Sequence, residues 1–290
     1  MNAPVQMPKF DRAAQSVGNI VLLEHVNVTQ PDQHLATLYY VVGLGGTRDP
    51  YIMVGVDNMW VNYGRTQVHL PTREPQVLRG TIGLVVPDLD ELKARLQRVQ
   101  PLLKGTRFAW RDAGGHVEAT CPWGNRWRCH APAPQLFGHV DLGIAYVEFD
   151  VPQGSAEGIA RFYREVMKTP AAAEAGRAQV STGGAQQLFF TERAEPLAGY
   201  DGHHVAIYIA DFAGPYQWLL ERGLVTLETG EHEWRFQQIV DPRDARPLFQ
   251  IEHEVRSMRH PLYARPLVNR NPAISNVAYV AGQESFRGTF

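Results

Sequence analysis

Two cysteines in 290 residues, Cys121 and Cys129, match neither a CxxC redox pair nor a zinc ribbon, so they read as reduced packing residues. No run approaches the roughly 18 apolar residues that a spanning helix requires. The opening residues, Met1 to Pro8, also lack an apolar signal core, and the expectation is a cytoplasmic chain. Neither sign of charge is in excess. The 28 Lys and Arg face 30 Asp and Glu, a net charge of −2, which offers no footprint to nucleic acid or to an anionic membrane. With 20% charged and 44% hydrophobic residues, the chain buries a sizeable core and has little cause for central disorder. The length suggests one large domain or two of about 145 residues.

What is present is a repeat. Thr66–Pro75 aligns with Gln186–Pro196, sharing a Gln, an apolar strand, then Thr, Arg and Glu-Pro. Thr81–Asp88 and His204–Asp211 follow in register, each a strand with an Asp before an amphipathic helix. The same strand–Asp–helix pattern opens at His25 and at Tyr146, which makes four units of about 60 residues. After each helix the sequence breaks at Gly or Pro and then alternates as strands do, as in Tyr51–Val56 and Met59–Tyr63. We read each unit as βαβββ. Gly43-Leu-Gly-Gly46 follows a helix and precedes a strand, so it is a helix C-terminal turn and not a nucleotide loop. The offsets 25→146, 67→187 and 81→204 are 121, 120 and 123, nearly constant, and predict two similar halves of paired units, residues 19–135 and 138–256. Ala131-Pro-Ala-Pro-Gln135 reads as the linker, because Pro continues neither helix nor central strand. Residues 257–290, with Pro261, Pro266 and Pro272, read as an extended tail that wraps a surface.

Paired βαβββ units, the openings at His25 and His204, and the unit endings Gly124–Arg128 and Asp241–Glu252 together resemble the vicinal oxygen chelate superfamily. That superfamily includes glyoxalase I, extradiol dioxygenases and bleomycin-resistance binding proteins, and the resemblance spans residues 19–256. It implies an α+β fold of curved mixed sheets, with a divalent metal held in a cleft by residues of first and last strands. Carried onto the C-terminal half, those positions are Tyr146 and His204, then Gln187 and Glu252. The implied ion, Fe(II) or Mn(II), would rest on His204 and Glu252, with Tyr146 or Gln187 as third ligand. Tyr146 could instead donate a proton to the substrate. Extradiol dioxygenases would have His where this chain has Tyr146.

The N-terminal half offers His25, Thr81, Gln67 and Arg128 at the matching positions, a weaker set that reads as vestigial. His69 and His130 share strand faces with the latter pair and leave a displaced His-rich site open. Glu254 likewise shares a face with Glu252, and His253 takes the other. The function implied is a metal-dependent enzyme, foremost a ring-cleaving dioxygenase acting on a small aromatic chelating substrate. The alternatives are a metal-free binding protein of the bleomycin-resistance type and a glyoxalase-like lyase or isomerase. A homo-oligomer is compatible with either class.

Overall fold

A computed structural model describes residues 15–286, apart from 53, 54, 56, 272, 273, 275 and 276. The first unit runs β1 (Ile20–Asn27), α1 (Gln33–Ala36) continued by a π-helical stretch (Thr37–Gly43), β2 (Thr47–Arg48), β3 (Asn58–Tyr63) and β4 (Thr66–Pro71). The second is β5 (Gly80–Val85), α2 (Leu89–Val99), β6 (Ala109–Asp112), β7 (Val117–Thr120) and β8 (Arg126–His130). A short α3 (Pro134–Phe137) lies in the Pro-rich linker. The third is β9 (Gly143–Pro152), α4 (Ala156–Glu165), β10 (Ala171–Glu174), β11 (Arg177–Ser181) and β12 (Gln187–Arg193). The fourth is β13 (His204–Ile209), α5 (Ala213–Leu220), β14 (Val225–Glu228), β15 (Glu233–Val240) and β16 (Pro247–Ser257). Each unit is βαβββ. The strand expected over 51–56 does not form at Tyr51 and Ile52, which sit in bends, and Met53, Val54 and Val56 lie outside the described residues.

Aspartates start the helices by two means. Asp32 and Asp88 are N-caps, each carboxylate accepting two backbone N–H bonds of the first turn. Asp211 accepts from Gly214 N at 3.0 Å and also pairs with Lys168 at 2.6 Å. Asp150 differs, because it is clamped by Arg126 and Arg193 at 2.6 and 2.7 Å while Glu192 accepts from the first turn of α4. Both cysteines are free and buried, and burial pushes the Cys129 thiol up to about 12.

The four units form two eight-stranded sheets, ordered β14-β15-β16-β13-β1-β4-β3-β2 and β10-β11-β12-β9-β5-β8-β7-β6. This corrects the expected pairing. β1 runs antiparallel to β13 and β5 antiparallel to β9, so units one and four share a sheet, as do units two and three. The division at residues 19–135 and 138–256 therefore cuts across both sheets. Spacing within a unit is indifferent to this choice, because the seam is a main-chain ladder between first strands. The Gln186 side chain ties the sheets together, exchanging bonds with Leu23 N and O and donating to Ile144 O.

Glycine makes the second seam possible. A methyl group on Gly80 would lie 1.9 Å from the Glu148 carbonyl oxygen, and one on Gly83 2.2 Å from the Tyr146 ring. Because backbone cannot swing aside as a side chain can, we expect Gly80→Ala to cost about 3 kcal/mol, the upper part of the overpacking range. Urea unfolding measures this directly, and a loss below about 1 kcal/mol would show that β5 and β9 do not meet this closely.

The described part of the tail, which does not include Pro272, makes contacts with the first sheet and with the loop before β3. Tyr263 packs on Tyr208 of β13 with ring centroids 4.9 Å apart, and Arg265 pairs with buried Asp49 at 2.7 Å. Further on, Asn62 donates to Val268 O, and Asn269 exchanges hydrogen bonds with Gly64.

Candidate metal centre

Strands β1, β13 and β16 are central in the first sheet, and their residues alternate between two faces. Val26, Val205, Ile207, Ile251 and Val255 belong to the apolar core. The opposite face carries His204, Glu252, Glu254, Arg256 and Tyr208, in the register His204↔Glu252 and Ala206↔Glu254. β1 adds His25 opposite Ala206, with an irregularity between Leu23 and His25 that lets Glu24 reach the same place.

His25, His204 and Glu254 converge there, each offering a ligand atom within 4.8 Å of the other two. They are 0%, 8% and 2% exposed. Metal–nitrogen and metal–oxygen bonds of about 2.1 Å allow ligand atoms up to about 4.2 Å apart, so small adjustments close the set on one ion. The donors fit such an ion. Glu24 Oε2 lies 3.0 Å from His25 Nδ1, and an ionised carboxylate there makes Nδ1 the N–H donor and leaves Nε2 with a bare lone pair. That buried Nε2 has no hydrogen-bond partner. His204 Nε2 faces Glu254 Oε2 at 3.3 Å without a hydrogen bond between them, an arrangement that a shared cation would reconcile. His69, across from Asn27 on β4, is nearby with its Nε2 also buried and unpartnered. Burial, helped by the imidazoles of His25 and His204, pushes His69 down to about 2, so it is neutral at pH 7. Trp60 stacks on His69 at 3.9 Å and meets the edge of His25 at 4.8 Å, closing that wall.

Charge around the set is organised by two arginines. Arg256 contacts Glu24 at 2.6 Å, Glu233 at 3.2 Å and Glu254, while Arg235 contacts Glu252 at 2.9 Å, Glu254 at 2.7 Å and Glu233 at 3.0 Å. Four carboxylates against two guanidinium groups leave two negative charges in excess, the amount a divalent cation neutralises. Burial opposes ionisation of Glu254, but His204, His25 and both arginines outweigh it and hold its carboxyl well below the usual range. Glu24 is held below its usual range against burial by His25, Arg256 and Tyr208, whose hydroxyl donates to it at 3.1 Å.

His204 and Glu252 do meet across the β13–β16 ladder, Nδ1 to Oε1 at 3.5 Å. Tyr146 and Gln187 do not join them. They are paired neighbours on β9 and β12 of the other sheet, where Tyr146 hydrogen-bonds His130 at 3.0 Å and Gln179 donates to Gln187 at 3.4 Å. Thr81 and Arg128 lie on that sheet as well, with Arg128 paired to Glu148 at 3.6 Å. Among the described residues no second group of three such donors forms. The N-terminal half supplies His25 to this group, and Glu254 is better placed than Glu252 to face both imidazoles. The shared face of Glu252 and Glu254 was the available signal for the latter. For His25, nothing in the spacing pointed across to the fourth unit.

No family model matches the chain, and no curated protein does. Among solved structures, a candidate dioxygenase from Bacillus subtilis subsp. subtilis str. 168 superposes with TM-score 0.56 at 13% identity, covering 82% of this chain and 86% of that one. Glyoxalase I from Zea mays superposes with TM-score 0.55 at 14% identity, covering 81% and 92%. Identity this low carries the fold and leaves the chemistry to the site. The chain therefore shares its fold, βαβββ units paired into two mixed sheets, with that candidate dioxygenase and with glyoxalase I.

Proposed function

We infer that the chain is a metal-dependent enzyme whose divalent ion, foremost Fe(II), rests on His25, His204 and Glu254, and whose small aromatic substrate chelates it through two oxygens. The observation that carries this reading is the buried two-histidine, one-carboxylate set with its unpartnered imidazole nitrogen. Such a triad leaves open positions on one side of an iron ion and is the donor set of non-haem oxygenases, which favours ring cleavage over isomerase chemistry. The ion, when bound, supplies Lewis acidity to the chelating substrate and a site of dioxygen chemistry. The protein's own residues do the rest. Glu24 fixes the His25 tautomer, Arg235 and Arg256 orient Glu254, and the Trp60–His69 stack keeps water from that wall.

One observation favours a second reading. Both Glu254 oxygens already touch arginine, so the face could serve without metal as a polar wall for a sequestered small molecule. Anaerobic purification with elemental analysis separates the two. We expect about one equivalent of divalent metal per chain, lost in His25→Ala, together with oxygen uptake when catechol meets the iron-loaded protein. A wild-type chain that retains no added metal yet holds an aromatic small molecule would establish the second reading instead.

A further inference from the structure

Where the tail, the start of β1 and the β11–β12 turn come together, the fold leaves a cavity of about 180 Å³ whose lining does not include His25, His204 or Glu254. Val21, Leu22, Val140, Ala185 and Tyr263 supply apolar walls, and the polar side chains of Arg65, His139 and Gln186 line it too. Val21 and Leu22 are the two residues of β1 that are not fully buried, so the strand is uncovered where it meets this space. The backbone is bent to shape it. Gly183, at φ +86°, brings the turn so close to β1 that a methyl group would lie 2.0 Å from Val21 O. Ala264 holds φ 53°, which non-glycine residues rarely adopt, and lines the cavity beside Tyr263. An apolar cavity of about 150 Å³ is enough to hold benzene, so this one accommodates a single substituted ring.

The cavity also touches the metal centre's supports. Tyr263 lies on Tyr208 at 4.9 Å, the Tyr208 hydroxyl donates to Glu24 at 3.1 Å, and Glu24 meets His25 Nδ1 at 3.0 Å. Leu22 is three residues from His25 on the same irregular strand.

We propose that this cavity binds a small aromatic carboxylate of benzoate size, its ring against Leu22, Val140 and Tyr263 and its acid toward Arg65 and His139, and that occupancy changes metal affinity at His25. The binding claim is independent of the function inferred above, and the coupling claim rests on it. Calorimetric titration of benzoate into the full chain should show saturable binding at one site. Arg65→Gln should weaken it at least tenfold, and Leu22→Trp, which fills the cavity, should abolish it while leaving the circular dichroism spectrum unchanged. If Leu22→Trp does not fold, Ala185→Leu makes the same test. Benzyl alcohol, the same ring without charge, should bind at least tenfold more weakly than benzoate. Absence of saturable benzoate binding, or a folded filled variant that binds like wild type, overturns the site, and equal affinity for benzyl alcohol overturns the carboxylate. Mn(II) titrated with and without saturating benzoate should give dissociation constants at least fivefold apart. Identical constants overturn the coupling. Benzoate binding without any Mn(II) binding would overturn the metal centre and leave the cavity's assignment standing.

Discussion

Addition of a divalent cation to metal-free protein, at about a hundred times its dissociation constant, is expected to raise the melting temperature by about 5–10 °C. A ligand that binds only the folded state at that excess stabilises it by about 2.7 kcal/mol. Each kcal/mol is worth about 2–4 °C in a chain of this size. His204→Ala and Glu254→Ala should remove the shift, because the remaining pair holds an ion weakly against water. Tyr146→Phe and Gln187→Ala should retain it, since both side chains belong to the other sheet. Glu24→Gln should sit between, with metal affinity reduced about 10–100-fold, because it removes the carboxylate that orients His25. A wild-type melting curve unmoved by Fe(II), Mn(II), Ni(II) or Zn(II) would defeat the metal assignment.

Arg256→Ala is expected to be the most damaging single substitution, at about 3–5 kcal/mol, because it strands buried charge. Its guanidinium touches three carboxylates, Glu24, Glu233 and Glu254, and the residue is 6% exposed. Lysine should not restore the loss, since a point charge cannot reproduce three contacts made by a planar fork. The deficit should shrink when a divalent cation is present, as the ion takes over part of the neutralisation. Urea unfolding of wild type and variant, each with and without metal, gives the four numbers needed. A loss below about 1 kcal/mol without metal would mean that the network is not the closed ion cluster described above.

Much of the fold was legible because each βαβββ unit writes its own pattern: a strand, an Asp before a helix, a Gly or Pro break, then alternation. The meeting of His204 and Glu252 was legible for the same reason, since both belong to one unit and their strands pair in parallel. The pairing between units was not. Any first strand can ladder with any other, and the side chains of β1 name no partner; only Gly80 and Gly83, required where β5 passes β9, hint at which seam forms. That gap carried into the site. His25 could not be joined to His204 without knowing that β1 lies beside β13. The choice between Glu252 and Glu254 also turned on it, because Glu254 shares the Ala206 level that faces His25, whereas Glu252 sits opposite His204.

The ladder between β1 and β13 also sets a timetable for synthesis. Asn27 pairs with His204, 177 positions later in the chain. At about 5–20 residues per second, the ribosome needs about 9–35 s to deliver the partner strand after β1 has emerged. During that interval the inner edge of β1 stands open beside β4, an unpaired template of the kind that invites wrong partners. Units two and three emerge in that window and can close their own sheet first. The first sheet then closes last, around strands that have waited longest, and a chain released early would carry His25 on β1 without the strand that brings His204 beside it.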